Sequence, residues 1–366
     1  MSQGADMTAD VTTTQSSVSV SGDLRSLDAS LRPASGTASR FSGSAGERKR
    51  WAIVLAGGDG KRLLPMTRVV AGDDRPKQFC ALLDADTLLE RTRKRAERSV
   101  APERTLYALT REHSRFYLKE SGIRASQRIV QPSNKGTAPP IVYGLLSIEK
   151  QDRDAVVAVL PSDHHYSDEA AFTRVLNGAF DAASRHAGSV ILMGSRARGA
   201  ETEYGWIELG RSVSGGSGTV YRVRGFREKP AAAVAQRLFE EGALWNTFVM
   251  VGRVRDFIDL VSAARTGLLK AFPQEHLWSG SEVHLEDWVY SRIYNTDFSR
   301  EILSTQTDRL LTLPLEVEWN DLGHPERVLD VLQSVGQAPW WMKEWQAMRR
   351  PPARAAAAGA TEAAVA

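Results

Sequence analysis

From residue 51 to residue 196 the chain alternates short apolar runs with longer amphipathic stretches, and this alternation restricts its fold more than any other feature. "WAIVLAGG" is a strand-length run ended by glycines, and "AVVAVLPSD" is the most strand-like run of all. Between them a helical period returns. "TLLERTRKRAERSV" opens with Thr87 and Glu90 at capping-box spacing, and "APPIVYGLLSIEKQ" has prolines in its first turn. "DEAAFTRVLNGAFDAASRHA" is a long helix that Asp168 is expected to cap. "TLYALT", "RIVQP" and "SVILMGS" supply further strands, and "REHSRFYLKES" a further helix. Parallel neighbours need helical crossovers, so the alternation predicts an α/β fold: a Rossmann-like mixed, mostly parallel sheet with helices on both faces. After residue 200 the strand-like pieces "YGWIEL", "GTVYRVRGFREKP" and "ALWNTFVMVG" follow one another. Helices are expected again around 252–265 and 282–295, and "LTLPLEVEWND" as a last strand.

Residues 1–49 are rich in Ser, Thr, Ala, Gly and Asp without periodicity, and are expected to form a disordered tail. Residues 349–366, with two prolines at 351–352, read the same way, which leaves 50–348 as one domain without internal repeats. The balance of 47 basic and 44 acidic residues, a net charge of +3, excludes a nucleic-acid coat or a membrane-surface protein. The basic segment "RTRKRAER" is accordingly expected to be a solvated helix face. A single cysteine, Cys80, permits no intramolecular disulfide. No apolar stretch reaches membrane-spanning length and no secretory signal opens the chain, so a cytoplasmic location is expected.

In open α/β sheets, ligands gather beyond the carboxyl ends of the strands. The stretch "LAGGDGKRLLPMTRVVAGDDRPKQF", residues 55–79, follows such an end. Gly57, Gly58 and Gly60 let the backbone approach closely and turn successive N–H groups toward phosphate oxygens, and Arg62 and Lys77 add positive charge. A Walker loop is excluded because Arg62 follows Lys61 where Ser or Thr is needed. A dinucleotide fingerprint is excluded because Leu63 replaces its third glycine. Asp163 and Asp321 each follow a strand-like run. Two carboxylates converging on one crevice would hold Mg²⁺, although either alone reads equally well as a helix cap. His164 and His165 are adjacent, so they are not expected to act together on a metal.

Taken together, "LAGGDGKRLLPMTR…RPKQF" resembles the signature of the sugar-1-phosphate nucleotidyltransferases, and "PKQF" looks most like the mannose-1-phosphate guanylyltransferase branch. "NKGTAPP", "LPSDHHY", "YGWI", "REKP", "LWNTFV" and "EWNDLG" follow in the family's order, so the resemblance covers residues 51–330. It implies the nucleotide-diphospho-sugar transferase fold and the reaction of a nucleoside triphosphate with a sugar 1-phosphate, with GTP and mannose 1-phosphate preferred. By the same resemblance Ala56, Gly57, Gly58 and Gly60 hold the nucleotide, Gly136 and Thr137 read its base, and Arg62 and Lys77 are catalytic. Gly205, Glu228, Lys229 and Asn246 bind the sugar phosphate, and Asp163 and Asp321 bind Mg²⁺. Trp206, Trp245 and Trp319 flank these motifs and are expected to pack rather than to bind sugar.

The partners implied are small molecules, neither nucleic acid nor membrane, and a homodimer stays open. The 366 residues are not expected to include the isomerase domain of bifunctional members. Two other classes remain. A purely regulatory nucleotide-sugar binder is disfavoured because Lys77, Asp163 and Asp321 are all present. A glycosyltransferase is disfavoured because "SDHH" stands where an Asp-x-Asp motif belongs. Arg227 before "EKP" and the wording of "WNDLGH" depart from the family pattern.

Overall fold

A computed structural model describes residues 49–349 apart from 121 and 214–217, so the expected tails lie, but for residues 49 and 349, outside the described residues. Among the described residues there are twelve strands: β1 Arg50–Leu55, β2 Thr105–Thr110, β3 Arg128–Gln131, β4 Val156–Pro161, β5 His165–Tyr166 and β6 Val190–Arg196. The second half adds β7 Gly205–Val213, β8 Val220–Glu228, β9 Leu244–Arg253, β10 Val283–His284, β11 Leu310–Leu315 and β12 Trp319–Asn320. Ten of them build one sheet in the order β10-β3-β2-β1-β4-β9-β6-β11-β8-β7, and β12 pairs with β5 in a separate ribbon. From β10 to β4 every pairing is parallel. Within this sheet only β9 and β8 run against the rest.

Alternate residues of β1 explain why both faces are covered. Ala52 and Val54 enter one apolar cluster, together with residues of the helices Leu88–Ala96, Glu169–Arg185 and Ala232–Glu240. Trp51 and Ile53 enter the other, with the helices Ala138–Gln151 and Val254–Ala263. A strand buried on both sides reads as a continuous apolar run, which is the form "WAIVL" takes. A third cluster stands apart, where Leu63, Met66 and Cys80 pack against Trp341 and Trp345 of the terminal helix Trp341–Arg349. No helix among the described residues is long and apolar enough to cross a membrane.

Local expectations hold in part. Asp168 caps its helix, its Oδ1 accepting from the N–H groups of Ala170 at 2.8 Å and Ala171 at 2.9 Å. Half of the capping box forms: Thr87 accepts from the Glu90 N–H at 3.0 Å, while the Glu90 carboxylate turns to Arg93 instead. The basic segment is the solvated face expected at Lys94 and Arg98, which are exposed, but not at Arg95. Arg95 is 2% exposed, forked onto Glu169 at 2.6 and 2.8 Å and stacked on Tyr166.

Three elements differ from the pattern reading. The helix Ala232–Glu240 sits where only strands were expected. The helix expected over 282–295 shrinks to Asp287–Ser291, with β10 before it. "LTLPLEVEWND" breaks in two, with β11 ending at Leu315 and β12 pairing antiparallel with β5. Glu316 and Glu318, which separate the two pieces, pair with Arg196 and Arg198 at the surface.

Candidate active site

The chain leaves β1 through a loop tied down by its carbonyl groups. Gln78 Nε2 donates to the Ala56 carbonyl at 3.1 Å and to that of Gly58 at 2.7 Å, and Thr110 Oγ1 donates to that of Gly57 at 2.9 Å. A Cβ on Gly57 would lie 2.8 Å from Thr110 Oγ1 and 2.9 Å from Gln131 Nε2, so only glycine lets the loop sit this close. The N–H groups of Gly57, Gly58 and Gly60 have no partner among the described residues. With the carbonyls turned into the protein, the loop is a nest of free donors suited to an anion. It borders a cavity of about 430 Å³ at the carboxyl ends of β1 and β4.

Two carboxylates and a lysine meet on this cavity. Lys77 is 8% exposed, with its Nζ 3.3 Å from Asp163 Oδ2, and it donates to the carbonyls of Asp321 and Leu322. The Leu322 backbone is left-handed (φ 49°), and its N–H donates to Asn320 Oδ1 at 2.8 Å. Asp321 Oδ1 accepts three bonds: from Tyr204 Oη at 3.0 Å, the Gly323 N–H at 2.9 Å and Arg327 Nη1 at 2.8 Å. Its Oδ2 accepts none among the described residues. Burial raises the Asp321 pKa, but Lys77 and Arg327 outweigh it and hold the carboxyl below its usual range.

Burial pushes His164 down to about 4, so its ring is neutral. The Trp319 indole N–H donates to His164 Nδ1 at 3.1 Å, which leaves the proton on Nε2, 3.6 Å from Asp163 Oδ1. Among the described residues no group of three or more His, Cys, Asp or Glu side chains gathers as a metal nest. Two hard oxygen donors on a cavity bordered by free N–H groups fit Mg²⁺, which usually takes one or two protein carboxylates and fills its remaining positions with other oxygen ligands.

The antiparallel half of the sheet supplies the opposite wall. Gly205 opens β7, Glu228 ends β8, and Asn246 lies in β9. A Cβ on Gly205 would stand 2.7 Å from Glu228 Oε2, so this glycine makes room for the carboxylate at the cavity wall. Burial, with Asp297 nearby, raises the Glu228 carboxyl to about 7. Lys229 is exposed and left-handed (φ 47°), its N–H donating to the Tyr204 carbonyl at 3.1 Å. Asn246 Oδ1 accepts from the Phe248 N–H at 3.1 Å.

At the far end, Gly136 turns with φ 87° and donates to Asn134 Oδ1 at 3.0 Å. Thr137 Oγ1 accepts from the Phe298 N–H at 2.8 Å, so its hydroxyl already serves the loop. At the mouth, Arg62 Nη1 donates to Glu203 Oε2 at 2.6 Å and to His324 Nε2 at 2.8 Å.

Twelve of the fourteen residues singled out in the sequence therefore line one cavity: Gly57, Gly58, Arg62, Lys77, Gly136, Thr137, Asp163, Gly205, Glu228, Lys229, Asn246 and Asp321. Ala56 and Gly60 do not. Ala56 is wholly buried, its N–H bonded to the Ala108 carbonyl at 2.8 Å, and Gly60 turns left-handed (φ 61°) against Pro76 and Lys77. Trp245 packs edge-on or tilted against Trp206, Trp319 and Tyr204, and of the three tryptophans only Trp319 reaches the cavity.

Sequence reasoning missed Gln78, Gln131, Glu203 and Tyr204, which also line the cavity, and Arg327 behind it. Gln78 and Tyr204 stand inside the quoted motifs "RPKQF" and "YGWI" and were legible there. Arg327 carries no such mark.

The model of the nucleotidyl transferase family matches residues 51–338. The xanthan biosynthesis protein XanB of Xanthomonas campestris pv. campestris is 30% identical over 297 residues, 78% of this chain and 60% of that protein. The mannose-1-phosphate guanylyltransferase ManC of Salmonella typhimurium is 27% identical over 76% of this chain and 58% of its own. The chain thus spans about 60% of the length of the curated relatives it matches. A solved structure from Thermus thermophilus, described as a mannose-1-phosphate geranyltransferase, is 30% identical with a TM-score of 0.65. It is covered to 79%, against 77% of this chain.

Proposed function

The chain belongs to the nucleotidyl transferase family, and from that premise we propose that it joins GTP to mannose 1-phosphate, giving GDP-mannose and pyrophosphate. The observation that carries this reading is one cavity on which a nest of free N–H groups, a buried lysine and two carboxylates converge. The names of ManC and of the Thermus structure support mannose 1-phosphate as the acceptor, and the name of ManC supports guanylyl transfer.

A phosphate oxygen of the sugar phosphate attacks the α-phosphorus. A new P–O bond forms as the bond to the β-phosphate breaks, and pyrophosphate leaves with the electron pair. Because the substrate is itself the nucleophile, the protein's contribution is positioning and charge. Gly57 and Gly58 present N–H groups to the triphosphate. Arg62 leaves Glu203 and His324 to hold the departing pyrophosphate, and Lys77 offsets charge at the α-phosphate. Asp163 and Asp321 would hold Mg²⁺, which would supply positive charge to offset that of the reacting phosphates. Glu228, Lys229 and Asn246 orient the sugar phosphate, while Gly136 and Thr137 shape the seat of the base.

The test is pyrophosphate release with Mg²⁺, with five nucleoside triphosphates each offered mannose 1-phosphate and glucose 1-phosphate. Release confined to GTP with mannose 1-phosphate, and lost in Asp163→Ala, is expected. Release with another pair would retain the chemistry and overturn the substrates. Lys77→Ala is expected to lower turnover by about 10²–10³ with an unchanged circular dichroism spectrum. Unchanged turnover would remove Lys77 from the reaction.

A further inference from the structure

Asp321 does not stand free at the cavity. Resting on the reading of Asp163 and Asp321 as the cation site, we propose that Arg327 is a positioning residue that locks Asp321, so that Oδ2 alone is offered to the divalent cation. Arg327 lies in the first turns of the helix Pro325–Ser334, six residues beyond Asp321, with its side chain 14% exposed. Its Nη1 donates to Asp321 Oδ1 at 2.8 Å and its Nη2 to Glu201 Oε2 at 2.7 Å. The guanidinium stacks 4.5 Å over the Tyr204 ring, whose hydroxyl donates to the same Oδ1 at 3.0 Å.

A carboxylate oxygen offers two lone-pair sites, and Oδ1 already meets three donors once the Gly323 N–H is counted. Rotation of the carboxylate would break the bonds from Tyr204, Gly323 and Arg327 together. Arg327 is itself fixed from two sides by carboxylates and from a third by an aromatic face. A planar fork can bridge Asp321 and Glu201 at once, whereas an ammonium is a point charge without that geometry. Arg327 also ties the 201–204 segment, which leads into the sugar wall at Gly205, to the element that carries Asp321. Partners that orient a metal ligand from behind typically change metal affinity by about 10–100-fold when removed.

The experiment compares Arg327→Lys and Arg327→Met with the wild type. Mn²⁺ is titrated into each protein with GTP present, and bound metal is read from water-proton relaxation enhancement. The Mg²⁺ half-saturation of pyrophosphate release is measured in parallel. Positioning predicts that both variants bind Mn²⁺ about 10-fold or more weakly, Lys included, although Lys keeps the charge. Wild-type affinity in the Lys variant with tighter binding in the Met variant would mean that only charge matters, which overturns the proposal. So would a lowered melting temperature with unchanged Mn²⁺ affinity, the mark of a structural role alone. A wild-type protein showing no enhancement at all would overturn the cation-site reading as well, so the two failures are separable.

Discussion

At the scale of the residue, Glu228 shows how position rewrites chemistry. Its neighbour in sequence, Lys229, favours the charged form, but burial and Asp297 dominate and hold the carboxyl near 7. The sign of the consequence follows from where the proton sits. Between the ordinary carboxyl value of 4.5 and 7, an unfolded chain releases this proton while the folded protein retains it. Stability therefore falls as pH rises through that window and levels off above it. Glu228→Gln, neutral throughout, is expected to gain about 1–3 kcal/mol over the wild type at pH 8 and nothing at pH 4. Urea unfolding at the two pH values measures this, and an equal difference at both would exclude a raised carboxyl. Arg327 marks the limit of legibility at this scale. Its partner Glu201 is 126 residues away, a proximity that no local pattern encodes.

At the scale of the element, the strand β1 and the loop after it were legible because a run buried on both faces must end in residues that permit a sharp departure. What the pattern did not separate is which glycine does what. Gly57 is hemmed in by Thr110 and Gln131, while Gly58 has nothing within 4 Å of its notional Cβ. Gly57→Ala is therefore expected to cost about 1–3 kcal/mol and to raise the KM for the nucleoside triphosphate of the proposed reaction, whereas Gly58→Ala leaves stability within about 0.5 kcal/mol. Thermal melts of the two variants decide it, and equal losses would mean that the loop is not seated as described. The helix Ala232–Glu240 was missed between strands because its apolar stripe is thin, with Ala235 and Leu238 as its buried residues. The run "LTLPLEVEWND" was read as one strand because its alternation continues past Leu315. Tertiary pairing with β5 then captures Trp319 and Asn320 in a second ribbon. That capture places Asp321 beside Lys77.

At the scale of the whole molecule, the cavity has two walls of different origin: the parallel half presents the loop and Asp163, and the antiparallel half presents Gly205, Glu228 and Asn246. Behind the loop, the terminal helix packs Trp341, 1% exposed, against Leu63 and Met66 of the segment that carries Arg62. Trp341→Ala is expected to cost about 3–5 kcal/mol and to raise the KM for the nucleoside triphosphate of the proposed reaction, because the helix Leu64–Ala71 loses its backing. An unchanged urea midpoint would show that this cluster contributes nothing.

Local sequence was enough to determine the alternation of strands and helices, the glycine loop at a strand end, and the lysine and carboxylates within their motifs. These depend on periodicity and on residue types a few positions apart. Tertiary packing alone settled that Lys77 is held between Asp163 and the Asp321–Leu322 backbone, that Glu203 and His324 engage Arg62, and that Arg327 pins Asp321. Those pairings join segments from 86 to 262 residues apart, or depend on how a short helix turns its face. They are fixed by packing against the sheet, which no stretch of sequence contains alone.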